Sequence, residues 1–127
     1  MSVMKVARSA DIPAGVLARL ATDKNSSVRF IAARNPSVSA DVLVALATDE
    51  DWGVRLAVAE NPNTPGEVLD RLAEDENREV RFAVARSPKI PPEAAIRLST
   101  SEVSQIRQAL SENPAVPEHI RVGLSMC

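Results

Sequence analysis

Between Thr64 and Ala73 the large apolar side chains are Val68, Leu69 and Leu72, and between Val80 and Ala85 they are Val80 and Val84 with Ala83 beside them. Spacings of one, three and four put each set on one face of a helix, whereas a half-buried strand would alternate at every second residue. The first set follows Thr64-Pro65-Gly66-Glu67, which predicts Thr64 as a cap, Pro65 at the first helical position and Glu67 where a capping box and the macrodipole favour a carboxylate. The second set ends before Pro88, because proline biases its predecessor away from helical backbone. Helices of about two or three turns do not hold in water alone, so the pattern predicts short helices stabilised by stacking.

The same pair of helices recurs along the chain. Val28-Arg29, Val54-Arg55, Val80-Arg81 and Ile106-Arg107 follow one another at a constant interval of 26 residues. Asn35-Pro36, Asn61-Pro62, Ser87-Pro88 and Asn113-Pro114 keep the same register, as do Leu20, Leu46, Leu72, Leu98 and Leu124. A period of this length marks a helical array, since one helix pair cannot bury its apolar face except against the next. The expected fold is all-α: a right-handed superhelix, or solenoid, of about five such repeats forming one domain over residues 1–127. The alanines at positions 57, 83 and 109 let successive units approach within the roughly 8 to 10 Å of packed helices. Ser2 and Lys5 replace the apolar Val28 and Ile31 of the next unit, and Arg121 replaces the Leu17, Leu43, Leu69 series, as terminal caps of a nearly complete module would.

Composition narrows the chemistry. Trp52, Phe30 and Phe82 are the whole aromatic inventory, so the core is built from Ala, Val and Leu. A formal charge of -2 gives no overall attraction to phosphates or anionic lipid. The first residues lack the apolar segment of a signal peptide, and the run Val42 to Ala47 is too short to span a bilayer, which points to the cytoplasm and away from membranes. Cys127 is the sole cysteine and His119 the sole histidine, so no disulfide or cysteine-based metal site forms within one chain, and no cofactor is expected. Cys127 stands at the chain end in the slot of the repeated aspartates, where an intermolecular disulfide can form. No glycine-rich phosphate loop and no nucleophile beside a histidine is present, which argues against an enzyme.

Val54 to Asp75 satisfies Val-Arg-x-Ala-Val-Ala-x-Asn-Pro-x-x-Pro-x-x-Val-Leu-x-x-Leu-Ala-x-Asp at every defined position. On these residues the chain, from about Val3 to Leu124, resembles the leucine-rich repeat variant family, an α-solenoid group related to HEAT and armadillo repeats. The resemblance implies helices alternating with shorter ones, sometimes of 3₁₀ type, and a binding rather than catalytic role. The 26-residue period is longer than the family's usual one, which places the extra length in the second helix or its turn. An iron-sulfur segment joined to such repeats in some members has no counterpart here.

Three rows of side chains are candidate sites. Arg29, Arg55, Arg81 and Arg107 form a line that suits a phosphate backbone. Asp23, Asp49 and Asp75 lie six residues before the first three, with Ser101 before the fourth, so the favoured reading is a structural ladder of guanidinium against carboxylate. Arg107 is then the most available of the set. Arg34, Glu60, Arg86 and Glu112 alternate in sign, predicting cross-repeat ion pairs that hold the register. Asn35, Asn61 and Asn113 suggest buried amides bonding to backbone where the second helix ends. Met4, Phe30, Leu56, Phe82 and Gln108 share the slot after the arginine, an apolar row whose outward part would mark a partner surface; Trp52, in a turn, would anchor a ligand at its edge.

The leading expectation is a non-enzymatic module presenting one helical face, with Phe30, Leu56, Phe82 and Trp52, to a protein or peptide. Contact with duplex nucleic acid along the arginine line is the alternative, since so few aromatics leave no stacking platform for single strands. Self-association is a third, through apolar Val3, Val6, Ile120 and Leu124 near the two ends. A monomer or weak homo-oligomer is expected.

Overall fold

The structure, a computed structural model, describes residues 12–125. Its described residues contain nine α-helices and no strand. The chain divides into two compact units, Met1–Pro65 and Gly66–Cys127. The first holds α1 (Ala14–Leu20), α2 (Ser26–Arg34), α3 (Ala40–Leu46) and α4 (Trp52–Glu60). The second holds α5 (Gly66–Leu72), α6 (Arg78–Arg86), α7 (Pro92–Ser99), α8 (Ser104–Glu112) and α9 (Glu118–Ser125).

Helices of like rank stack on one another within each unit. In the first, α2 packs on α4; in the second, α6 packs on α8, while α5 packs on α7 and α7 on α9. The stripes read from the sequence are the ones that meet. Leu17 and Leu43 of the first unit are fully enclosed with Val54 and Val58; Leu69, Val80, Val84, Ile106 and Leu110 are enclosed in the second. Each such side chain contributes about 1.5 to 3 kcal/mol by leaving water. Against that stands the conformational entropy of ordering the chain, of order 1 to 2 kcal/mol per residue for the backbone, so short helices persist only where nearly every inward position is filled.

Each of the even-numbered helices α2 to α8 is nine residues long and of α type, longer than α1, α3 and α5 with seven residues each. The resemblance implies longer helices alternating with shorter ones, sometimes of 3₁₀ type, with the extra length of the 26-residue period in the second helix or its turn; here the longer helix is the second, and it is α-helical. The long form has a cap at its start and a proline beyond its end. Asn25, Asp51 and Asn77 accept hydrogen bonds from the first-turn amides of Ser27, Gly53 and Glu79, as N-cap side chains do. At the other end Asn35, Asn61, Ser87 and Asn113 turn extended, with ψ between 111 and 132, because a proline follows each. Among the described residues none is at positive φ, so their turns are made without left-handed backbone.

Thr64 departs from its expected role. It is buried, and its hydroxyl donates backward to the Val58 carbonyl at 2.5 Å instead of capping the helix that follows. The reason lies in its slot: Ile12, Val38, Ile90 and Val116 occupy the equivalent place and are buried too. A hydroxyl standing where aliphatics belong must find an acceptor or lose its hydrogen bond to water.

Of the expected caps, Ser2, Lys5, Val3, Val6 and Met4 lie outside the described residues, as does Cys127. Arg121 is half-buried, with its Nε donating to the Val116 carbonyl at 2.9 Å. No described helix is long and apolar enough to cross a membrane.

Candidate functional site

The arginine line turns inward, onto the main chain. Arg29, Arg55, Arg81 and Arg107 each aim Nη1 at the carbonyl six residues back, those of Asp23, Asp49, Asp75 and Ser101. The geometry is indifferent to the side chain at the acceptor, so Arg107 beside Ser101 is held like the others. The carboxylate expected within the same repeat comes from the next one. Arg29 makes a two-pronged contact to Asp49, Nε to Oδ2 at 2.9 Å and Nη2 to Oδ1 at 3.2 Å, and not to the carboxylate of Asp23. That hydrogen bond holds the Arg29 guanidinium above its ordinary pKa, against the desolvation that lowers it.

The aspartates have a second task. Asp23, Asp49 and Asp75 each accept the amide two residues on, and Ser101 does the same with its hydroxyl. These are side-chain turns that lead into the second helix, which explains why serine serves in place of aspartate.

The asparagines link neighbouring repeats. Asn61 Nδ2 donates to the carbonyls of Ala33 and Asn35 at 2.7 and 3.2 Å, and Asn113 Nδ2 donates to those of Ala85 and Ser87 at 2.8 and 2.9 Å. Their Oδ1 atoms accept the amides of Asn63 and Ala115, while Asn35 accepts that of Ser37. All three amides are buried. Helix-end carbonyls are left without intrahelical partners, and these amides supply them.

Among the described residues no ion pair joins Arg34 to Glu60 within the first unit or Arg86 to Glu112 within the second. The guanidinium of Arg34 lies over the Phe30 ring and that of Arg86 over Phe82, each at 5.6 Å, within reach of a cation–π attraction. Glu112 accepts from Gln108 Nε2 at 3.0 Å on its own helix.

Phe82 is therefore half-buried beneath a cation, and it lines a groove of about 680 Å³ along α6 and α8 of the second unit. The α6 wall bears Arg78, Glu79, Phe82 and Arg86; the α8 wall bears Gln105, Gln108 and Glu112 around Ile106 and Ala109. Arg78, Phe82 and Arg86 stand four residues apart, so they form one line along the helix. In the sequence Arg86 belonged to the charge ladder and Arg78 to a variable turn; only the interval of four joins them. The first unit keeps Phe30 and Leu56 half-buried on α2 and α4, and Trp52 is 46% exposed at the start of α4.

A further cluster lay outside the sequence reading. Arg97 on α7 meets Asp70 Oδ1 on α5 at 3.0 Å and also Glu74. These carboxylates raise its pKa, Asp70 foremost through its hydrogen bond. Arg19 and Arg71 share the slot of Arg97, but the slot of Asp70 holds Ala18, Val44 and Ile96 and that of Glu74 holds Thr22, Thr48 and Thr100, so no periodicity exposed the pair. His119 is exposed. Among the described residues no group of three or more His, Cys, Asp or Glu is arranged to hold a metal ion, and no buried side-chain polar atom lacks a partner.

Residues 27–51 and 52–77 match the family model described as leucine rich repeat variant. Residues 27–77 carry two leucine rich repeat variant repeats. The matched segments include Arg29 with its carboxylate partner Asp49, Arg55 with its carbonyl acceptor at Asp49, and Asn35 and Asn61 with their turns. No curated protein sequence matches the chain. In leucine rich repeat variant terms, the most regular side chains of this protein are the ones that hold repeat to repeat, and the irregular ones, such as Arg78, Gln105 and Gln108, are those on the groove.

Proposed function

We propose that this leucine rich repeat variant protein is a non-enzymatic scaffold whose second unit holds a protein or peptide segment in the groove between α6 and α8. The groove carries the reading: it joins an aromatic ring and an aliphatic floor to exposed polar side chains on two helices, the mixture that serves peptide recognition. Repeat scaffolds use their variable surface in this way, because each repeat's interior is already committed to its neighbours. Phe30, Leu56 and Trp52 are candidate contacts of the first unit taken by itself, and the scaffold acts as a monomer or weak homo-oligomer.

The inward turn of Arg29, Arg55, Arg81 and Arg107 favours this reading over contact with duplex nucleic acid. A guanidinium fixed on carbonyls and carboxylate releases few counterions on meeting phosphate. The test is a selection of peptides from a displayed random library on the full chain, followed by amide chemical-shift mapping. Perturbations gathered on α6 and α8, and lost in Phe82→Ser, are expected. Shifts centred on other helices would move the site, and tight duplex binding with a steep salt slope would replace it with the nucleic-acid reading.

A further inference from the structure

We infer that the groove between α6 and α8 takes an extended peptide segment in which two acidic side chains flank one large apolar side chain at alternate positions. The inference rests on the peptide-binding reading of that groove and names its ligand class.

The guanidiniums decide the sign of the charge. Within the second unit Arg81, Arg107 and Arg121 donate to main-chain carbonyls, and Arg97 is shared by Asp70 and Glu74. Arg78 and Arg86, both on the groove, have no such anchor. The nearest carboxylate to Arg78 is that of Glu79 at 4.0 Å, with side chains 70% and 56% exposed, a contact of little worth in water. Arg86 rests on the Phe82 ring. Two forks that fit carboxylates are thus available on either side of one aromatic ring.

Spacing decides the conformation and the sequence pattern. Four residues of α-helix rise about 6 Å, so the two forks stand about 6 Å above and below the ring. In an extended chain, side chains on one face recur every second residue, about 6.6 Å apart. Acidic, apolar and acidic residues at alternate positions therefore meet Arg78, Phe82 and Arg86 with a mismatch of under about 1 Å per step, well within the reach of an arginine side chain. A helical ligand can match the same rise, but its main chain is already hydrogen-bonded within itself. The facing wall offers Gln105 and Gln108, whose amides both donate and accept. An extended segment has free main-chain groups for them.

Glu79 and Glu112 also line the groove and cancel its formal charge. Recognition is then by short-range forks and not by a long-range field. Glu112, held by Gln108 on the α8 wall, repels an acidic residue there and keeps the ligand's carboxylates on the α6 side.

The test is fluorescence anisotropy on the full chain with capped, labelled probes: SESLSES, its basic form SKSLSKS, the leucine-free SESSSES, and SESSSLSSSES with helical spacing. SESLSES is expected to bind about tenfold or more tighter than SKSLSKS and SESSSES. Arg78→Ala and Arg86→Ala should each weaken it severalfold, with Arg71→Ala on α5 as the unchanged control. The double change Arg78→Glu with Arg86→Glu, at exposed positions that the fold tolerates, should transfer the preference to SKSLSKS. Equal or tighter Phe82-dependent binding of SKSLSKS by the unaltered protein would overturn the acidic preference and leave the groove as a peptide site. Tighter binding of SESSSLSSSES would overturn the extended form. If neither these probes nor any displayed peptide bound in a Phe82-dependent manner, the inference and the peptide-binding reading would fall together.

Discussion

Asn61 joins two carbonyls of the preceding repeat to one amide of its own turn through a single buried side chain. Truncating it strands these groups away from water, and Asn61→Ala should cost about 2 to 4 kcal/mol in urea unfolding. Asn61→Asp supplies a sharper test. A carboxylate facing the Ala33 and Asn35 carbonyls is repelled when ionised and donates when protonated, so its folded pKa lies above the unfolded value of about 3.9. The native state then holds the proton more firmly. The variant's deficit should be greatest at neutral pH and shrink as pH falls through the folded pKa towards the unfolded one. A deficit independent of pH would show that the Asn61 amide is not committed to those carbonyls.

The arginines show what a sequence gives at this scale and what it withholds. Regular recurrence with an aspartate six residues earlier marked Arg29, Arg55 and Arg81 as structural, but a fixed interval cannot tell whether the main chain or the side chain of residue i−6 is the acceptor. It is the main chain, and the carboxylate on Arg29 comes from Asp49, 20 residues onward. Arg29→Ala should therefore lower the urea midpoint more than Arg107→Ala, which loses a carbonyl contact alone. A guanidinium pKa raised in the folded state contributes stability that is complete below the unfolded value and disappears only as pH rises through the folded one. The difference between the two variants should consequently be the same at about pH 6 and about pH 9, both far below that range.

Among the elements, the second helices carry both the packing and the groove, and their starts differ. Asn25, Asp51 and Asn77 cap α2, α4 and α6 with side-chain oxygens, whereas Val103 at the start of α8 offers none. Val103→Asn should restore the cap and raise stability by about 1 kcal/mol in urea or thermal unfolding. Val103 also lines the groove. The same change should weaken binding of an apolar-centred peptide, as commonly happens where a functional site carries a locally unfavourable residue. Unchanged stability would mean that the Ser101 hydroxyl, which accepts the Val103 amide, already satisfies this end. Helix existence and stacking were legible because each apolar stripe has one interpretation. Helix type was not legible, since residues four apart line up alike for Phe82 and Arg86 whether or not a neighbouring carboxylate competes for the guanidinium.

Across the molecule a constant interval of 26 residues fixes which side chains stack, yet burial is uneven within a unit. In the second unit α6 and α8 enclose Val80, Val84, Ile106 and Leu110, while α9 has no fully buried residue through Leu124, and its Val122 is 47% exposed. Ile96 holds the equivalent slot on α7 and is 56% exposed, but Ala94, Ala95 and Leu98 of that helix are buried, so the openness belongs to α9. Local opening free energies follow buried apolar contact, and helices with little of it open without unfolding their neighbours. Native-state hydrogen exchange should rank the amides accordingly: those of Val84 and Leu110 slowest, those in the middle of α9 faster by about two orders of magnitude or more. Peptide bound in the groove should slow α6 and α8 further by mass action and leave α9 nearly unchanged. Equal protection in α6, α8 and α9 would instead make the second unit a single cooperative block, and the groove would then have no local freedom with which to accommodate a ligand.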